Sequence, residues 1–228
     1  MSGYLFFLYI VGMILVPLAA FLFVLYAIQR VQKGGGASKP GPMEALAKSL
    51  GLGTGGGDPY LPNTPLLRVF RRPVQVEGDL SGFRVLIRKY TQGSGKNQST
   101  YTESVVSFRT PLPFRFTLSL ESLFTRIGKS LGLRDIPTGD PFFDERFYLR
   151  GNDPEKVRLA LFPEIRERLL AWQRTHKAGG SFEARDAAIR YYEQGSLSRP
   201  GDIRRFEEVT RILVELAEIL DVLGSMDT

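Results

Sequence analysis

Cysteine and histidine, on which much enzyme chemistry depends, are almost missing from this sequence. There is no cysteine, which excludes a disulfide framework, a thiolate nucleophile and a cysteine-ligated metal. The single histidine, His176, lies in the polar stretch WQRTHKAGG, where a cation near the C-terminal end of a helix is a commoner role than catalysis. We therefore expect no catalytic residue, no cofactor-binding residue and no metal ligand, and we predict that the protein is not an enzyme.

Charged side chains are missing from one stretch of 25 residues, Tyr4 to Ile28. As a helix with a rise of about 1.5 Å per residue, this stretch extends roughly 37 Å, which crosses a hydrocarbon layer about 30 Å thick with some tilt. Arg30 and Lys33 follow it and no Lys or Arg precedes it, so the positive-inside rule places the following residues in the cytoplasm. Residues 1–30 are therefore predicted to be a single-pass anchor of the inner (cytoplasmic) membrane, with the N-terminus outside.

A proline interrupts the middle of the predicted anchor. Pro17 leaves the carbonyl group near Met13 without its helical hydrogen bond, and in lipid such a defect is tolerated best where a neighbouring helix covers it. Contact with an integral membrane protein is one interpretation of Pro17, and a simple kink without a partner is the other.

Glycine and proline dominate residues 31–65, which predicts a linker. Within it, the stretch from Pro42 to Leu52 combines helix-forming residues with proline at its start and glycine near its end. Met43, Leu46 and Leu50 fall on one side of this short helix. Because three turns are marginal in water, we expect that side to contact a membrane surface or a protein partner.

From Pro73 onward, apolar and polar residues alternate with the period of β-strands. Three runs show this pattern, at residues 73–92, 99–113 and 114–122. The first two flank the turn-rich GSGKNQ, so they are predicted to form a hairpin of an antiparallel sheet. The loop is not a phosphate-binding P-loop, because Asn97 replaces the Ser or Thr that follows the lysine and because the loop joins two strands.

Positive charge is concentrated in the first half of the chain, where residues 29–115 hold 13 Lys and Arg against 5 Asp and Glu. Arg84, Arg88, Lys89 and Lys96 would make the predicted hairpin basic. A basic surface beside a membrane anchor is drawn to anionic lipid headgroups by about 1 kcal/mol per cation. Nucleic acid would be drawn by the same field, but the anchor favours lipid, so a nucleic-acid partner is not expected. Lysine that only protects a sheet edge from aggregation is the alternative.

An acidic and aromatic stretch, DIPTGDPFFDERF at residues 135–147, follows a predicted helix from Leu120 to Leu133. Its carboxylates could hold a hard cation or serve an enzyme, but their spacing matches no calcium loop. We expect Asp140 to cap a turn begun by Pro141, and the aromatic rings to fill the core. The carboxylates are Asp135, Asp140, Asp144 and Glu145, and the rings are Phe142, Phe143 and Phe147.

The last third of the chain predicts further helices and one more hairpin. Helices are expected to begin at Pro154, with Asp153 before it, and at Pro163, and residues 181–195 predict a hairpin. The final helix is expected from Ile203 to Leu223, with Asp202 as its N-cap.

Apolar residues of this final helix step by three and four, as in a coiled coil. They are Phe206, Val209, Leu213, Leu216, Leu220 and Leu223. Ile212 and Ile219 widen the stripe beyond a two-residue seam, which favours packing on a sheet of the same chain over a homodimer through this helix.

The stretches GDPFFDERFYLRG and RKYTQGSGKNQSTYTES resemble those of a group of bacterial membrane-anchored proteins of unknown function. The resemblance covers roughly Pro73 to Leu223 and rests on the Gly139-Asp140-Pro141 motif with Asp144 and Phe147, and on the Gly-Ser-Gly-Lys hairpin. It implies a shared fold and assigns no catalytic residue.

These patterns predict an α+β fold in which helices cover an antiparallel sheet, preceded by one transmembrane helix. Residues 66–228 would form a cytoplasmic domain. Our first functional hypothesis is a non-enzymatic scaffold or accessory subunit that docks on the cytoplasmic face of a larger membrane protein complex, for which a photosynthetic or respiratory complex is one candidate. The alternative is a membrane-tethered module whose basic hairpin binds anionic lipid or nucleic acid.

Overall fold

The computed structural model describes residues 40–55, 74–120, 134–177 and 179–226. The predicted anchor, with Pro17, Arg30 and Lys33, lies outside these residues, and so does the predicted helix from Leu120 to Leu133 apart from Leu120 itself. Within the described residues no helix is both long and apolar enough to cross a membrane. The anchor and its orientation therefore stay predictions.

An antiparallel sheet organises the described part of the chain. Its nine strands lie in the order β1-β2-β3-β4-β9-β8-β5-β7-β6, and every neighbouring pair is antiparallel. The strands are β1 (Gly53–Gly55), β2 (Gln75–Leu80), β3 (Phe83–Gln92), β4 (Ser99–Ser107), β5 (Phe116–Leu120), β6 (Arg134–Asp135), β7 (Phe147–Gly151), β8 (Ser181–Arg185) and β9 (Ala188–Gln194). With the helices below, this confirms the predicted α+β class.

Helices pack on one side of the sheet, which we call the core face. The described helices are α1 (Pro42–Leu50), α2 (Pro141–Arg146), α3 (Pro154–Ala160), α4 (Pro163–His176) and α5 (Pro200–Ser225). The ring of Trp172 in α4 lies 5.2 Å from the ring of Tyr191 in β9, and Phe206 in α5 approaches the same tyrosine at 5.7 Å. A buried polar contact also joins α5 to the sheet, between the hydroxyl groups of Thr210 in α5 and Ser104 in β4 at 2.9 Å.

The long helix α5 lies across the sheet with its apolar stripe covered by its own domain. Phe206, Leu213 and Leu220 have no exposed surface, and the flanking Ile212 is 3% exposed. The helix begins at Pro200, three residues earlier than predicted, so Asp202 is not the N-cap. Instead its carboxylate accepts hydrogen bonds from the backbone N–H groups of Ser198 and Arg199, because a carboxylate in the first turn can reach back to the free N–H groups there.

The short helix α1 forms as predicted, but its environment corrects our interpretation. Leu46 is fully buried and Leu50 is 5% exposed, while Met43 is partly buried against the same core. These side chains were predicted to contact a membrane or a partner, whereas α5, the edge strand β1 and its neighbour β2 cover them. Residues 40–55, which we placed in a linker, therefore belong to the same compact unit as the sheet. The sequence shows that the apolar side of this helix must be buried, but it does not show which surface buries it.

The run at residues 73–92, predicted as one strand, contains a tight turn. Ser81 and Gly82 both have positive φ, 53° and 83°, the conformation of the two-residue turns that match the twist of a hairpin. The run therefore folds into β2 and β3, paired from Leu80 and Phe83. The next hairpin, β3 with β4, forms as predicted, with a short 3-10 turn at Gly95–Asn97.

The acidic and aromatic stretch is a structural junction. Asp140 caps α2 by accepting from the N–H groups of Phe142 and Phe143, as predicted. Asp144 accepts hydrogen bonds from the backbone and the hydroxyl of Thr138, so its oxygens already have partners. Phe143 and Phe147 are buried, but Phe142 is 76% exposed, because one of two successive side chains at the start of a helix faces away from the core. The prediction for Phe142 was wrong.

Candidate functional site

Alternation along the strands gives the sheet a second face, built from polar and aromatic side chains. In β3, Val85 and Ile87 are buried on the core face, while Arg84 and Arg88 are exposed on the other. We call this second side the polar face. Its central residues are Arg88 and Tyr90 of β3, Tyr101 and Glu103 of β4, Glu183 of β8, and Arg190 and Tyr192 of β9.

Glu103 is the central buried charge of the polar face. Its side chain is 2% exposed, and its two oxygens receive two different arginines. Arg88 Nε lies 2.6 Å from Oε1, and Arg190 Nη1 lies 3.4 Å from Oε2. Register explains the first contact, because Arg88 and Glu103 lie directly opposite each other in neighbouring strands. A carboxylate this deeply buried needs both cations, since an unpaired buried charge is strongly unfavourable.

Arg190 links Glu103 to a second carboxylate. Its Nε donates to Glu183 Oε2 at 2.8 Å, its Nη2 donates to the same oxygen, and its guanidinium carbon lies 4.9 Å from the centre of the Tyr192 ring. Burial lowers the pKa of Arg190, but the hydrogen bond and the charge of Glu183, with the charge of Glu103, outweigh burial, so its pKa is raised. The guanidinium is therefore charged and fixed in one orientation.

Three tyrosines complete the polar face. The rings of Tyr90 and Tyr101 stack with their centres 5.5 Å apart, on opposite positions of β3 and β4. Burial raises the pKa of Tyr90, and the negative charge of Glu103 raises it further. Burial and the charge of Glu183 raise the pKa of Tyr192 in the same way. Both phenols are therefore neutral across the physiological pH range, and each offers a hydrogen-bonding hydroxyl beside an apolar ring.

The basic hairpin does not form the single surface that the sequence predicted. Arg84 and Arg88 lie on the polar face, and Arg88 is engaged by Glu103. Lys89 is the next residue along the strand, so it points to the opposite side of the sheet. Lys96 lies at the hairpin tip, in the turn Gly95–Asn97. Because successive side chains of a strand face opposite ways, Lys89 lies on the other side of the sheet from Arg84 and Arg88.

Several residues of the polar face were missed by sequence reasoning. Glu103, Glu183 and Arg190 are ordinary charged residues in strands, and the contact of Glu103 with Arg190 spans 87 positions of the chain. The one local signal is the hairpin Ser181–Gln194, in which Glu183 and Arg190 become direct cross-strand neighbours once the turn is placed.

His176, singled out for its chemistry, lies at the end of α4 with Nε2 2.8 Å from a carboxylate oxygen of Glu208.

Within the described residues no group of three or more His, Cys, Asp or Glu side chains is arranged to hold a metal ion. Asp135 instead pairs with Arg150 in β7, where Nε and Oδ1 are 3.2 Å apart. On the polar face, the charges of Glu103, Glu183, Arg88 and Arg190 pair with one another, and the rings of Tyr90, Tyr101 and Tyr192 stay partly exposed.

Comparison with known proteins identifies a shared fold but no family. No protein-family model matches the chain, and no curated protein matches it. The crystal structure of the mycobacterial trehalose monomycolate transport factor A, TtfA, is similar with a TM-score of 0.50 at 13% sequence identity. The match covers 80% of this chain and 94% of that protein. At this identity the similarity shows the fold alone.

Proposed function

We propose that this protein is a membrane-anchored, non-enzymatic accessory subunit that docks its polar face on another subunit of a membrane protein complex. The observation that carries the proposal is the arrangement of arginine and tyrosine side chains around the buried carboxylate of Glu103. The predicted anchor Tyr4–Ile28 would hold this face close to integral membrane partners on the cytoplasmic side.

The composition of the polar face favours a protein partner. Tyrosine and arginine are enriched at protein interfaces and supply a large share of their binding energy. Here Tyr90, Tyr101 and Tyr192 are only partly buried within the described structure, so their rings keep surface for a partner. A stacked ring pair contributes apolar contact area, and each hydroxyl adds directional hydrogen bonding.

Two arginines of the polar face, Arg88 and Arg190, are held by carboxylates of the same chain. Glu183 and Glu103 hold Arg190, whose side chain keeps 33% of its surface exposed. Arg88 is held by Glu103 and is 51% exposed. Fixing flexible side chains on binding costs conformational entropy. Because ion pairs within the chain already hold these long side chains, this cost of association is smaller.

A similar fold occurs in a protein described as a transport factor. TtfA is by its description a factor for transport of trehalose monomycolate. We propose a role of the same general kind, in support of transport across or along a membrane, and the shared fold implies neither the same cargo nor the same partner for this chain.

The proposal is tested by extracting the tagged full-length protein from its native membrane in mild detergent and identifying co-purified proteins by mass spectrometry. We expect a stoichiometric membrane complex with the wild type. The double variant Tyr90→Thr/Tyr101→Thr keeps strand-forming residues but removes the stacked rings, so we expect it to lose most of the partner. Phe142→Thr is the matched control, because it removes an exposed ring from a helix outside the polar face.

Two results would contradict the proposal. A wild-type protein that leaves the membrane as a lone monomer would exclude a stable complex. A double variant that retains the same partners at the same ratio as Phe142→Thr would show that docking does not use the polar face. Urea unfolding of each variant, followed by the fluorescence of Trp172, establishes that loss of a partner does not come from loss of the fold.

A further inference from the structure

A crevice opens on the opposite side of the sheet from the polar face, at the start of helix α1. Its volume is about 290 Å³, near the lower end of the roughly 300–1,000 Å³ range of small-molecule sites. Pro42 and Met43 of α1 form one wall, and Val74, just before β2, and Leu197, in the loop after β9, contribute the rest of the apolar lining. Val74 is 36% exposed, so this apolar wall is open to solvent in the described structure.

Two opposite charges line the same crevice. Lys89 and Glu44 contribute the cation and the anion. Glu44 Oε2 accepts a hydrogen bond from the backbone N–H of Gly41 at 2.9 Å, which fixes the carboxylate at the first turn of the helix. In the part of the chain that the structure describes, Lys89 forms no ion pair, and its ammonium has free donors.

The neighbour of Lys89 on the core face does not compete for a ligand. Thr102 lies opposite Lys89 in the register of β3 and β4 and also lines the crevice. Its hydroxyl donates to the carbonyl oxygen of Gly195 at 2.8 Å, and the residue is 1% exposed. Of these two cross-strand neighbours, Lys89 is therefore the one whose polar group is exposed beside the apolar wall.

We infer that this crevice binds a membrane phospholipid with a zwitterionic phosphoethanolamine headgroup. The glycerol end of one acyl chain lies along Pro42, Met43, Val74 and Leu197, the phosphate pairs with Lys89, and the ammonium group pairs with Glu44. The headgroup carries the same two charges as the rim of the crevice, with opposite signs. A solely anionic lipid would satisfy Lys89 but would place its charge near the carboxylate of Glu44.

The predicted anchor keeps the crevice near such lipids. Only 12 residues lie between Ile28, the end of the predicted membrane span, and Gly41 at the crevice, and the 13 Cα-to-Cα steps between them extend at most about 45 Å. The inference rests on this predicted anchor, but not on docking through the polar face, and the variants that test the two lie on opposite faces of the sheet.

The test uses the full-length protein in detergent, with native mass spectrometry of adducts. Dioleoyl phosphatidylethanolamine, phosphatidylglycerol, phosphatidylcholine and free oleate are added separately at equal concentration. We expect phosphatidylethanolamine to give the largest adduct fraction with the wild type. Lys89→Gln is expected to weaken this binding by about 1.4-fold to fivefold, the range for loss of one solvent-exposed ion pair. Lys96→Gln, which removes the same charge at the hairpin tip outside the crevice, is expected to leave it unchanged.

Two further variants separate the headgroup from the acyl chain. Glu44→Gln removes the anion but keeps a side chain that can still cap the helix, so we expect the preference to shift from phosphatidylethanolamine towards phosphatidylglycerol. Val74→Asp places a charge in the apolar wall and is expected to reduce the adducts of all three phospholipids.

The inference is overturned by any of three results. Equal binding of phosphatidylethanolamine by Lys89→Gln and Lys96→Gln would show that adducts come from lipid around the anchor. Equal binding of oleate and phosphatidylethanolamine by the wild type would show that the headgroup is not recognised. Unchanged adducts in Val74→Asp would show that the crevice does not hold the acyl chain.

Discussion

Replacement of Leu46 by alanine tests whether helix α1 is part of the domain core. The Leu46 side chain is fully buried between the edge of the sheet and α5. If the helix instead lay in a flexible linker and contacted a membrane or a partner, its apolar side would contribute nothing to the stability of the domain. The matched control is Lys48→Ala, which changes an exposed residue of the same helix.

The expected loss follows from the groups that are removed. Leucine to alanine deletes three carbon groups, and burial of each contributes about 0.8 kcal/mol, which gives about 2.4 kcal/mol before any cavity remains. Incomplete relaxation adds to this, so we expect the free energy of unfolding to fall by about 3 kcal/mol, within the range of about 2–5 kcal/mol for such substitutions. Lys48→Ala should cost less than about 0.5 kcal/mol.

The assay is urea unfolding followed by the fluorescence of Trp172. This is the one tryptophan of the chain and it is 4% exposed, so its emission reports directly on the core. With a urea dependence of about 3 kcal/mol per molar, Leu46→Ala should lower the unfolding midpoint by about 1 M and Lys48→Ala by less than about 0.2 M. Equal midpoints for the two variants would refute the placement of α1 in the core.

Three more predictions concern local structure. Gly180→Ala should destabilise the domain by about 1–3 kcal/mol or more, because the new Cβ would overlap the buried ring of Tyr191, whereas Gly179→Ala meets nothing within 4 Å. Phe143→Ala should cost about 3–5 kcal/mol and Phe142→Ala almost nothing, since the first is buried and the second is 76% exposed. Asp202→Asn should cost about 0.5–1 kcal/mol at pH 7, because a carboxylate at the start of a helix is stabilised there.

The measurements are urea titrations of the same kind, and the Asp202 variant adds a dependence on pH. Burial alone would raise the pKa of Asp202, but the N–H groups of Ser198 and Arg199 and the charge of Arg205 outweigh it and lower the pKa. Its stabilisation is therefore complete above the unfolded pKa of about 4 and is lost as the pH falls through the lower folded pKa. A difference in stability between wild type and Asp202→Asn that grows on acidification would contradict this assignment. Equal stability of Gly180→Ala and Gly179→Ala, or of Phe143→Ala and Phe142→Ala, would contradict the prediction for that pair.

Local signals in the sequence predicted the elements where they act over a few residues. The helices at Pro154 and Pro163 and the cap at Asp140 follow from proline and aspartate in positions that favour helix starts. Alternation predicted the hairpin of β3 and β4, but the same alternation ran through Ser81 and Gly82 and concealed the turn between β2 and β3.

Contacts between distant parts of the chain could not be predicted in the same way. The apolar side of α1 is visible in the sequence, but its cover is supplied by α5, more than 150 positions later, as the hydrogen bond from Arg211 to the carbonyl of Ser49 shows with a separation of 162. The polar face likewise depends on strand order, because β4 pairs with β9. That pairing brings Arg190 to Glu103, and no local pattern specifies it.

The central claim is that the polar face contacts a protein partner at the membrane. The most direct test is photo-crosslinking in native membranes from an amino acid with a photoreactive side chain at position 101, with position 142 as the control. The account predicts a crosslink from position 101 to one defined membrane-associated protein and none from position 142. Crosslinks from position 101 only to lipid, or the same products from both positions, would contradict it.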